Sequence, residues 1–188
     1  IVSGTALSKS PSREACLLAV QYAKKHGTRV IFDIDYRPYS WRSKKDIQIY
    51  YSLLASMADV IIGSRDEVNL TEGLDEEATE PADHVIKHGK KGSIAYTADK
   101  KAYKVESYHI KLLKSFGGGD AYGSAFVYGL LAGWTVSQAL QHGTAHAAMV
   151  VASHSCSDAM QTVEQIDAFM QEHKDEKVIT ELDWEAAL

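Results

Sequence analysis

A run of three glycines followed by an aspartate is the stretch of this sequence best suited to chemistry. Gly117, Gly118, Gly119 and Asp120 precede a segment of small residues with helical character. Glycines let the backbone approach an anion, and a helix N-terminus adds unpaired N–H groups and a positive dipole end. A carboxylate there would repel a phosphate unless it accepts a proton from an attacking hydroxyl. The alternative is a glycine-rich turn in which Asp120 is only the N-cap of the helix.

Charged residues also follow the first predicted internal strand. Residues 29–32 form a short β-branched and aromatic run that predicts a buried strand, and Asp33, Asp35 and Arg37 come directly after it. Ligands of open α/β sheets bind beyond the carboxyl ends of the strands. Because one residue separates the two aspartates, we expect both carboxylates to project to the same side. The alternative is a surface loop with a local Asp–Arg ion pair.

Two later segments offer further polar groups. The predicted strand 59–63 is followed by Ser64 and Glu67, and an acidic residue there could also serve only to cap the next turn. A predicted hairpin further along carries the basic turn Lys87–Gly92. A basic turn with free N–H groups suits a phosphate or a nucleotide, although a solvated lysine-rich hairpin explains the same residues.

The elements that must position these residues alternate between strands and helices. Strand, helix and strand with short links predict a βαβ unit and a parallel sheet, so the fold class is α/β. Ser10 and Pro11 predict the start of the first helix and Gly27 its end, while Thr135 and Gln138 predict a capping box. The predicted helices are 11–26, 47–58, 120–132, 135–152 and 163–173, and the later strands are 84–86, 94–97 and an exposed edge ribbon at 101–110.

Composition describes an ordinary folded protein and excludes several classes. The 188 residues are 45% apolar and 24% charged, enough for one domain with a core. The net charge of −5 gives no broad basic surface for a nucleic acid, and no apolar run reaches the length of a membrane span or forms a signal peptide. Cys16 and Cys156 have no ligand-like spacing, so we expect reduced thiols and a cytoplasmic protein.

Some segments carry weaker signals. His142 and His146 are four residues apart on one predicted helix, but no third ligand accompanies them, which argues against a metal site. Residues 1–5 read as a strand and its turn without an initiator methionine, so we expect a chain whose first part lies outside this sequence. The acidic segment 71–83 and the charged tail 174–188 have no readable pattern.

In this order, the four segments resemble the motifs of the PfkB family, the ribokinase-like carbohydrate kinases. The resemblance spans residues 1 to about 170 and implies a ribokinase-like three-layer α/β/α fold with a mostly parallel central sheet. The family's early strands, its β lid and a Gly-Gly motif are absent here, so residues 1–188 are expected to be the C-terminal part of a single kinase domain. The matching motifs are Asp33-x-Asp35-x-Arg37-x-x-x-Trp41, Ser64-x-x-Glu67, Lys87-x-Gly89-x-x-Gly92 and Gly117-Gly118-Gly119-Asp120.

The resemblance implies ATP-dependent phosphoryl transfer with Mg²⁺. Asp120 would be the base that deprotonates a sugar hydroxyl, and the N–H groups of Gly117 to Asp120 would form an anion hole. Such chemistry requires positioning and charge stabilisation more than covalent help. The other implied roles are organisation of Mg²⁺ through water by Glu67 and Ser64, nucleotide contacts from Lys87, Gly89, Gly92 and Thr144, and substrate contacts from Asp33, Asp35 and Arg37.

The resemblance also narrows the substrate. Several segments look like those of the family's kinases that phosphorylate the 6-hydroxyl of 5-dehydro-2-deoxygluconate in inositol catabolism. The partners would be ATP and this sugar acid, with no nucleic acid and no membrane, and the full-length protein would be a homo-oligomer. The segments concerned are 3–8, 33–41, 86–89 and 155–160.

Two alternatives stay open. The first is another kinase of the family, acting on ribose, fructose or ketodeoxygluconate; Asp35 in place of the usual asparagine and the stretch 156–160 argue against it. The second is a non-catalytic nucleotide-binding or assembly fragment, which the missing lid favours.

A few residues depart from the family's motifs. Gly118 replaces the usual alanine, which is sterically harmless, and Ser64 replaces an asparagine of longer reach. Lys114 stands where ribokinases carry an aspartate linked to a monovalent-cation site, which makes activation by potassium doubtful. The segment 71–83 is shorter than the family's helical connection, so we expect residues to be missing there.

Overall fold

The computed structural model describes residues 1–71, 83–176 and 178–184. The chain divides into two compact units, the first formed by residues 1–87 and 96–100 and the second by residues 88–95 and 101–188. The expectation about missing residues at 71–83 falls almost entirely outside the described residues, as does the end of the charged tail.

The first unit is built on a parallel sheet, as the βαβ pattern predicts. Neighbouring strands pair in sequence order, β1 with β2, β2 with β3 and β3 with β4, and each pair is parallel. The strands therefore end at the same edge of the sheet. Their bounds are β1 Val2–Ser3, β2 Ile31–Asp33, β3 Val60–Ser64 and β4 Asp83–Lys87.

The first two helices of this unit do not begin at the residues that the sequence predicts. The prediction of Ser10 as an N-cap is wrong, because its hydroxyl donates to the Glu14 carboxylate at 2.6 Å and the helix begins two residues later. Gly27 follows the last turn with φ +67°, as predicted. The second helix begins earlier than predicted because Ser43 caps it. The helices are α1 Ser12–Lys25, α2 Lys44–Ala55 and the single turn α3 Arg65–Val68.

The core of the first unit lies between the sheet and α2. Phe32 and Tyr51 are fully buried and their rings meet edge to face, with centroids 5.5 Å apart. Gly4 lies in the turn after β1, where a Cβ would be 2.1 Å from the Ile34 carbonyl oxygen. A glycine is therefore required where the two chain segments approach.

The second unit holds the longer helices and two antiparallel strands. Strand β6 pairs with β7 so that Ala102 faces Leu182 and Val105 faces Ile179. The prediction of residues 101–110 as an exposed edge ribbon is therefore wrong, because the C-terminal segment covers this edge. The elements are β6 Ala102–Val105, α4 Gly118–Leu131, α5 Val136–Val151, α6 Val163–Glu172 and β7 Ile179–Leu182. Strand β5, Ser93–Tyr96, also belongs to this unit except for its last residue.

Helix α5 begins as its sequence indicates. The Thr135 hydroxyl accepts from the Gln138 N–H at 3.3 Å, and the Gln138 side chain accepts from the Thr135 N–H at 3.0 Å. This reciprocal pair is the predicted capping box. The box satisfies two backbone donors at the start of the helix that packs most extensively on α4.

Helices α4 and α5 approach closely where their side chains are small. A Cβ at Gly143 would be 3.0 Å from the Tyr122 carbonyl oxygen, and a Cβ at Gly118 would be 2.6 Å from Val151 Cγ1. Gly123, on the same helix as Gly118, faces open space instead. The small residues of α4 thus serve different purposes at different positions.

Neither thiol is paired and no helix in the described ranges could cross a membrane. Cys16 and Cys156 are both free, as their spacing predicts. Among the residues that the structure describes, every helix is too short or too polar to form a membrane span.

We predict that Gly118→Ala destabilises the fold. The new methyl group would overlap Val151, and overpacking of this kind costs about 1–3 kcal/mol. Gly123→Ala is the matched control, expected to add about 0.5–1 kcal/mol of stability because it places alanine in an open helical position. Urea denaturation of both variants measures the difference.

A second substitution tests the identity of the contact. When Val151 is already replaced by alanine, the overlapping methyl group is absent. In that background, Gly118→Ala should lower the free energy of unfolding much less than it does in the wild type. If Gly118→Ala stabilises the protein as Gly123→Ala does, then α4 does not begin against Val151.

Candidate active site

Four parallel strands of the first unit bring polar side chains to one edge of the sheet. Ser3, Asp33, Ser64 and Lys87 are the last residues of β1 to β4. The register pairs Ser3 with Asp33 and Ser64 with Lys87. Asp33 and Ser64 thus lie at the carboxyl ends of their strands, where the sequence places them, and Lys87 ends β4 instead of lying in the turn after it.

Asp35 is held in an uncommon backbone conformation by three polar contacts. Its φ is +37°, in the left-handed region that favours glycine, at a cost of about 1–3 kcal/mol. Its carboxylate accepts from Ser3 Oγ at 3.1 Å and Thr5 Oγ1 at 3.5 Å. The Arg37 guanidinium lies 2.5 Å from the other oxygen. The local Asp–Arg pair that the sequence suggested is present, with two hydroxyl groups added, one from the end of β1 and one from the turn after it.

Asp33 faces a different cation. Lys87 Nζ lies 3.7 Å from Asp33 Oδ1, and both side chains are partly exposed. Asp33 and Asp35 are therefore one residue apart in the chain but belong to two separate ion pairs. Lys87 is the last residue of β4, so its ammonium lies at the edge of the sheet and not in the turn that follows.

Glu67 links the ends of two strands through the backbone. One carboxylate oxygen accepts from the Ser64 N–H at 2.7 Å and the other from the Tyr36 N–H at 2.9 Å. The Ser64 hydroxyl accepts in return from the Glu67 N–H at 3.4 Å, which completes a capping box. Burial by itself raises the pKa of Glu67, but the Ser64 and Tyr36 N–H groups and the Lys87 charge outweigh it, so the pKa is lowered.

The glycines of the basic turn are set by backbone geometry. The Lys91 N–H donates to the His88 carbonyl at 3.2 Å and the Gly92 N–H to the Gly89 carbonyl at 3.0 Å, which closes a single 3₁₀ turn at Gly89–Lys91. Gly89 and Gly92 have φ of +57° and +90°. A Cβ at Gly92 would lie 1.8 Å from the Val105 carbonyl oxygen. Both glycines are thus needed for the turn itself, whatever it binds.

The glycine run of the second unit begins helix α4. Gly117 is the N-cap with φ +80°, and the helix starts at Gly118, so the interpretation of Asp120 as the N-cap is wrong. The Ala121 N–H donates to the Gly117 carbonyl at 2.9 Å. The N–H groups of Gly118, Gly119 and Asp120 lie before this first helical hydrogen bond, so they have no acceptor within the helix. The exposed Asp120 carboxylate thus belongs to the first helical turn, beside backbone N–H groups of the kind that bind anions.

The turn before α4 is packed on residues from the end of α5 and the loop after it. A Cβ at Gly117 would lie 3.3 Å from Val150 Cγ1 and 3.4 Å from Cys156 Cβ. A Cβ at Gly118 would lie 2.6 Å from Val151 Cγ1, so in this chain the exchange of alanine for glycine makes room for Val151. The start of α4 is therefore packed against these residues, while Gly119 and Asp120 are exposed.

Lys114 makes contacts that its position in the sequence did not indicate. Its ammonium donates to the carbonyl oxygens of Ser155 at 2.5 Å and Phe116 at 3.3 Å, and to Cys156 Sγ at 3.2 Å. The sequence identified Lys114 only as a departure from a family motif. No spacing in the sequence indicates the contacts with Ser155 and Cys156, because these residues lie 41 and 42 positions further along the chain.

Three residues of α5 have buried or partnered polar groups. Thr144 is 5% exposed, and its hydroxyl has no hydrogen-bond partner among the described residues. His142 Nε2 lies 2.8 Å from an Asp167 carboxylate oxygen, whereas His146 Nε2 accepts from the Gln161 N–H at 3.0 Å. Burial lowers the pKa of His146. The two histidines thus engage different segments rather than one common point.

We predict that Glu67 contributes pH-dependent stability. Because its folded pKa is lowered below the usual 4.5, its ionised form stabilises the fold above pH 4.5 and this contribution is lost as the pH falls through the folded pKa. The loss of unfolding free energy in Glu67→Gln should therefore be largest at neutral pH and shrink in acid. Urea denaturation across a pH series measures it.

Asp66→Asn is the control for this experiment, because Asp66 is the exposed neighbour in the same helical turn. Its stability profile should run parallel to that of the wild type. A Glu67→Gln deficit that is the same at every pH would contradict an ionised, hydrogen-bonded Glu67.

Comparison with known proteins places these features in a family. The chain is 58% identical over 189 aligned positions to the 5-dehydro-2-deoxygluconokinase of Clostridium tetani, covering 94% of this chain and 56% of that protein. The chain thus spans about half the length of the curated relatives it matches.

Solved structures show the same fold. A fructokinase double mutant from Vibrio cholerae, with fructose, ADP and potassium ion bound, has a TM-score of 0.79 at 24% identity, covering 89% of this chain and 58% of that one. An E. coli protein described as a Ribokinase II, in complex with ATP and Mg²⁺, has a TM-score of 0.76 at 24% identity, covering 91% and 57%. The three-layer α/β/α fold is confirmed.

The family comparison covers most of the chain. Residues 1–163 match the family described as pfkB family carbohydrate kinase. The ordered motifs, the parallel sheet with polar residues at its carboxyl edge and the glycine-led start of α4 agree with this match. The chain belongs to the PfkB family of carbohydrate kinases.

Proposed function

We propose that this chain is the C-terminal part of an ATP-dependent sugar-acid kinase domain that phosphorylates the 6-hydroxyl of 5-dehydro-2-deoxygluconate. The observation that carries the proposal is the start of α4, where Asp120 lies in the first turn beside the free N–H groups of Gly118 and Gly119. The substrate is taken from relatives that are 47–58% identical to this chain over 186–189 aligned positions.

The start of α4 fits a phosphoryl group. Gly117 and Gly118 let the helix start pack against Val150 and Val151, while Gly119 and Asp120 are exposed, so an anion can reach the first turn of the helix. ATP would supply the phosphoryl group and Mg²⁺ its charge neutralisation. The N–H groups of Gly117, Gly118 and Gly119 would stabilise negative charge as it develops.

Asp120 is proposed as the general base. Its carboxylate is exposed at the third helical position, so a substrate hydroxyl can reach it. The carboxylate accepts the hydroxyl proton as the hydroxyl oxygen attacks the phosphoryl group. The positive end of α4 favours the negative charges gathered at this point.

The polar edge of the first unit is proposed to bind the substrate and organise the metal. Asp35 and Arg37 are pre-positioned by the contacts with Ser3 and Thr5, which supports a role in holding a polyhydroxylated acid. Both Glu67 oxygens already accept backbone N–H groups. The carboxylate therefore fits an indirect role toward Mg²⁺ through water, with Ser64 beside it.

The basic turn after β4, Lys87 and Thr144 are proposed to contact the nucleotide. Gly89 and Gly92 form a tight turn with basic residues beside it, and Lys87 adds a positive charge at the sheet edge. The buried Thr144 hydroxyl, which has no partner in the described part of the chain, is proposed to contact the adenosine. The free thiols of Cys16 and Cys156 support a cytoplasmic location.

We predict that Asp120→Asn in the full-length protein lowers kcat by about two to four orders of magnitude, the contribution of a positioned general base. Steady-state ADP release measures it. Glu164→Gln is the matched control, since Glu164 is also an exposed acidic residue in the first turn of a helix. Turnover of Asp120→Asn equal to that of the control would exclude Asp120 as the base.

We predict that the full-length protein prefers 5-dehydro-2-deoxygluconate. A coupled ADP-release assay over this compound, ribose, fructose and ketodeoxygluconate should give it the highest kcat/KM. A higher value for ribose or fructose would assign the protein to another branch of the family. ATP binding by calorimetry without ADP release on any sugar would instead identify a non-catalytic nucleotide-binding protein.

A further inference from the structure

The ammonium of Lys114 is bound by neutral acceptors from two separate segments. Nζ donates to the Ser155 carbonyl at 2.5 Å, to the Phe116 carbonyl at 3.3 Å and to Cys156 Sγ at 3.2 Å. Ser155 and Cys156 are 41 and 42 residues further along the chain. A lysine ammonium is a compact point charge with three donors, and here each donor has an acceptor. The side chain thus ties the segment before α4 to the loop after α5.

The surroundings of this ammonium favour a positive charge. Helix α5 ends at Val151, and its last carbonyls are the negative end of the helix dipole. The backbone N–H groups of Leu113 and Lys114 both donate to the Val151 carbonyl, at 3.0 and 3.2 Å. Ser153 Oγ donates to the same Ser155 carbonyl at 2.8 Å. Carbonyl oxygens from two segments, next to a helix C-terminus, are the ligands that an alkali cation takes in proteins.

The same contacts control the shape of the anion-binding turn. Phe116 directly precedes Gly117, the left-handed N-cap of α4. Cys156 Cβ and Sγ both lie 3.4 Å from the position that a Gly117 Cβ would take. The lysine therefore fixes both sides of the turn that orients the N–H groups, and it adds a positive charge close to where an anion would bind.

We propose that Lys114 is a positioning residue that acts as a tethered monovalent cation. Its ammonium takes the place of a diffusible K⁺ or NH₄⁺ ion between the two segments, so the start of α4 is formed without one. The inference rests on the proposed function for its activity readout. It goes beyond that function, because it assigns a role to a residue that touches neither the nucleotide nor the sugar.

The test uses the full-length protein and compares monovalent salts at constant ionic strength. Wild-type turnover should be equal in K⁺, NH₄⁺ and Na⁺. Lys114→Ala should lower kcat about tenfold to hundredfold in Na⁺, the range for loss of charge-assisted hydrogen bonds. K⁺, NH₄⁺ or methylammonium should restore much of the loss, because the carbonyls of Phe116 and Ser155 can then bind the added cation.

Lys111→Ala is the matched control, since Lys111 is an exposed lysine of the same segment. It should keep wild-type turnover in every salt. A second readout is independent of catalysis: K⁺ should raise the thermal unfolding midpoint of Lys114→Ala over its value in Na⁺, and should leave those of the wild type and Lys111→Ala unchanged.

Two results would overturn the proposal. The first is a wild-type protein whose turnover or unfolding midpoint rises on replacing Na⁺ with K⁺, a measurement that needs no variant to fold. The second is a Lys114→Ala deficit that no added cation reduces. If the protein phosphorylates no sugar, the proposed function fails, and the unfolding midpoints still decide the role of Lys114.

Discussion

The second unit depends on the close packing of the start of α4 against the end of α5. A Cβ at Gly118 would clash with Val151 at 2.6 Å, and a Cβ at Gly117 would make a tight contact with Val150 at 3.3 Å. Because the backbone is fixed from behind, its N–H groups are held in one orientation without a bound ligand. A preorganised set of donors costs no reorganisation when negative charge develops, which is the main source of catalysis in phosphoryl transfer. The proposed chemistry at Asp120 is thus a consequence of helix packing.

The first unit achieves a comparable rigidity with polar contacts. Its parallel strands end at one edge, where Asp33 and Asp35 each have a separate cationic partner. Glu67 uses both carboxylate oxygens to fix the chain after β2 and β3. These groups hold one another before any substrate arrives, and the uncommon backbone of Asp35 is maintained by the hydroxyls around it. Strain of this kind is stored where the surrounding contacts determine the conformation.

Most helices and strands could be predicted from the sequence because the residues that begin and end them lie close together in the chain. The capping box of Thr135 and Gln138 and the glycine after α1 were read correctly, since a cap involves residues three or four apart. The pairing of β7 with β6 was missed because strand pairing joins residues far apart in the chain, and the tail shows only its charge. The prediction of Ser10 as an N-cap is wrong because its hydroxyl donates to the Glu14 carboxylate instead of accepting from a backbone N–H.

The sequence by itself determined the order of strands and helices, the polar residues at the strand ends and the glycines and aspartate that begin α4. It did so because glycine, aspartate and capping residues restrict the backbone wherever they occur. Only the tertiary structure decided that Gly117 rather than Asp120 caps α4. It alone brought the Lys114 ammonium to carbonyls of the Ser155 and Phe116 segments. Such contacts depend on how distant segments pack, and no spacing within the chain specifies that.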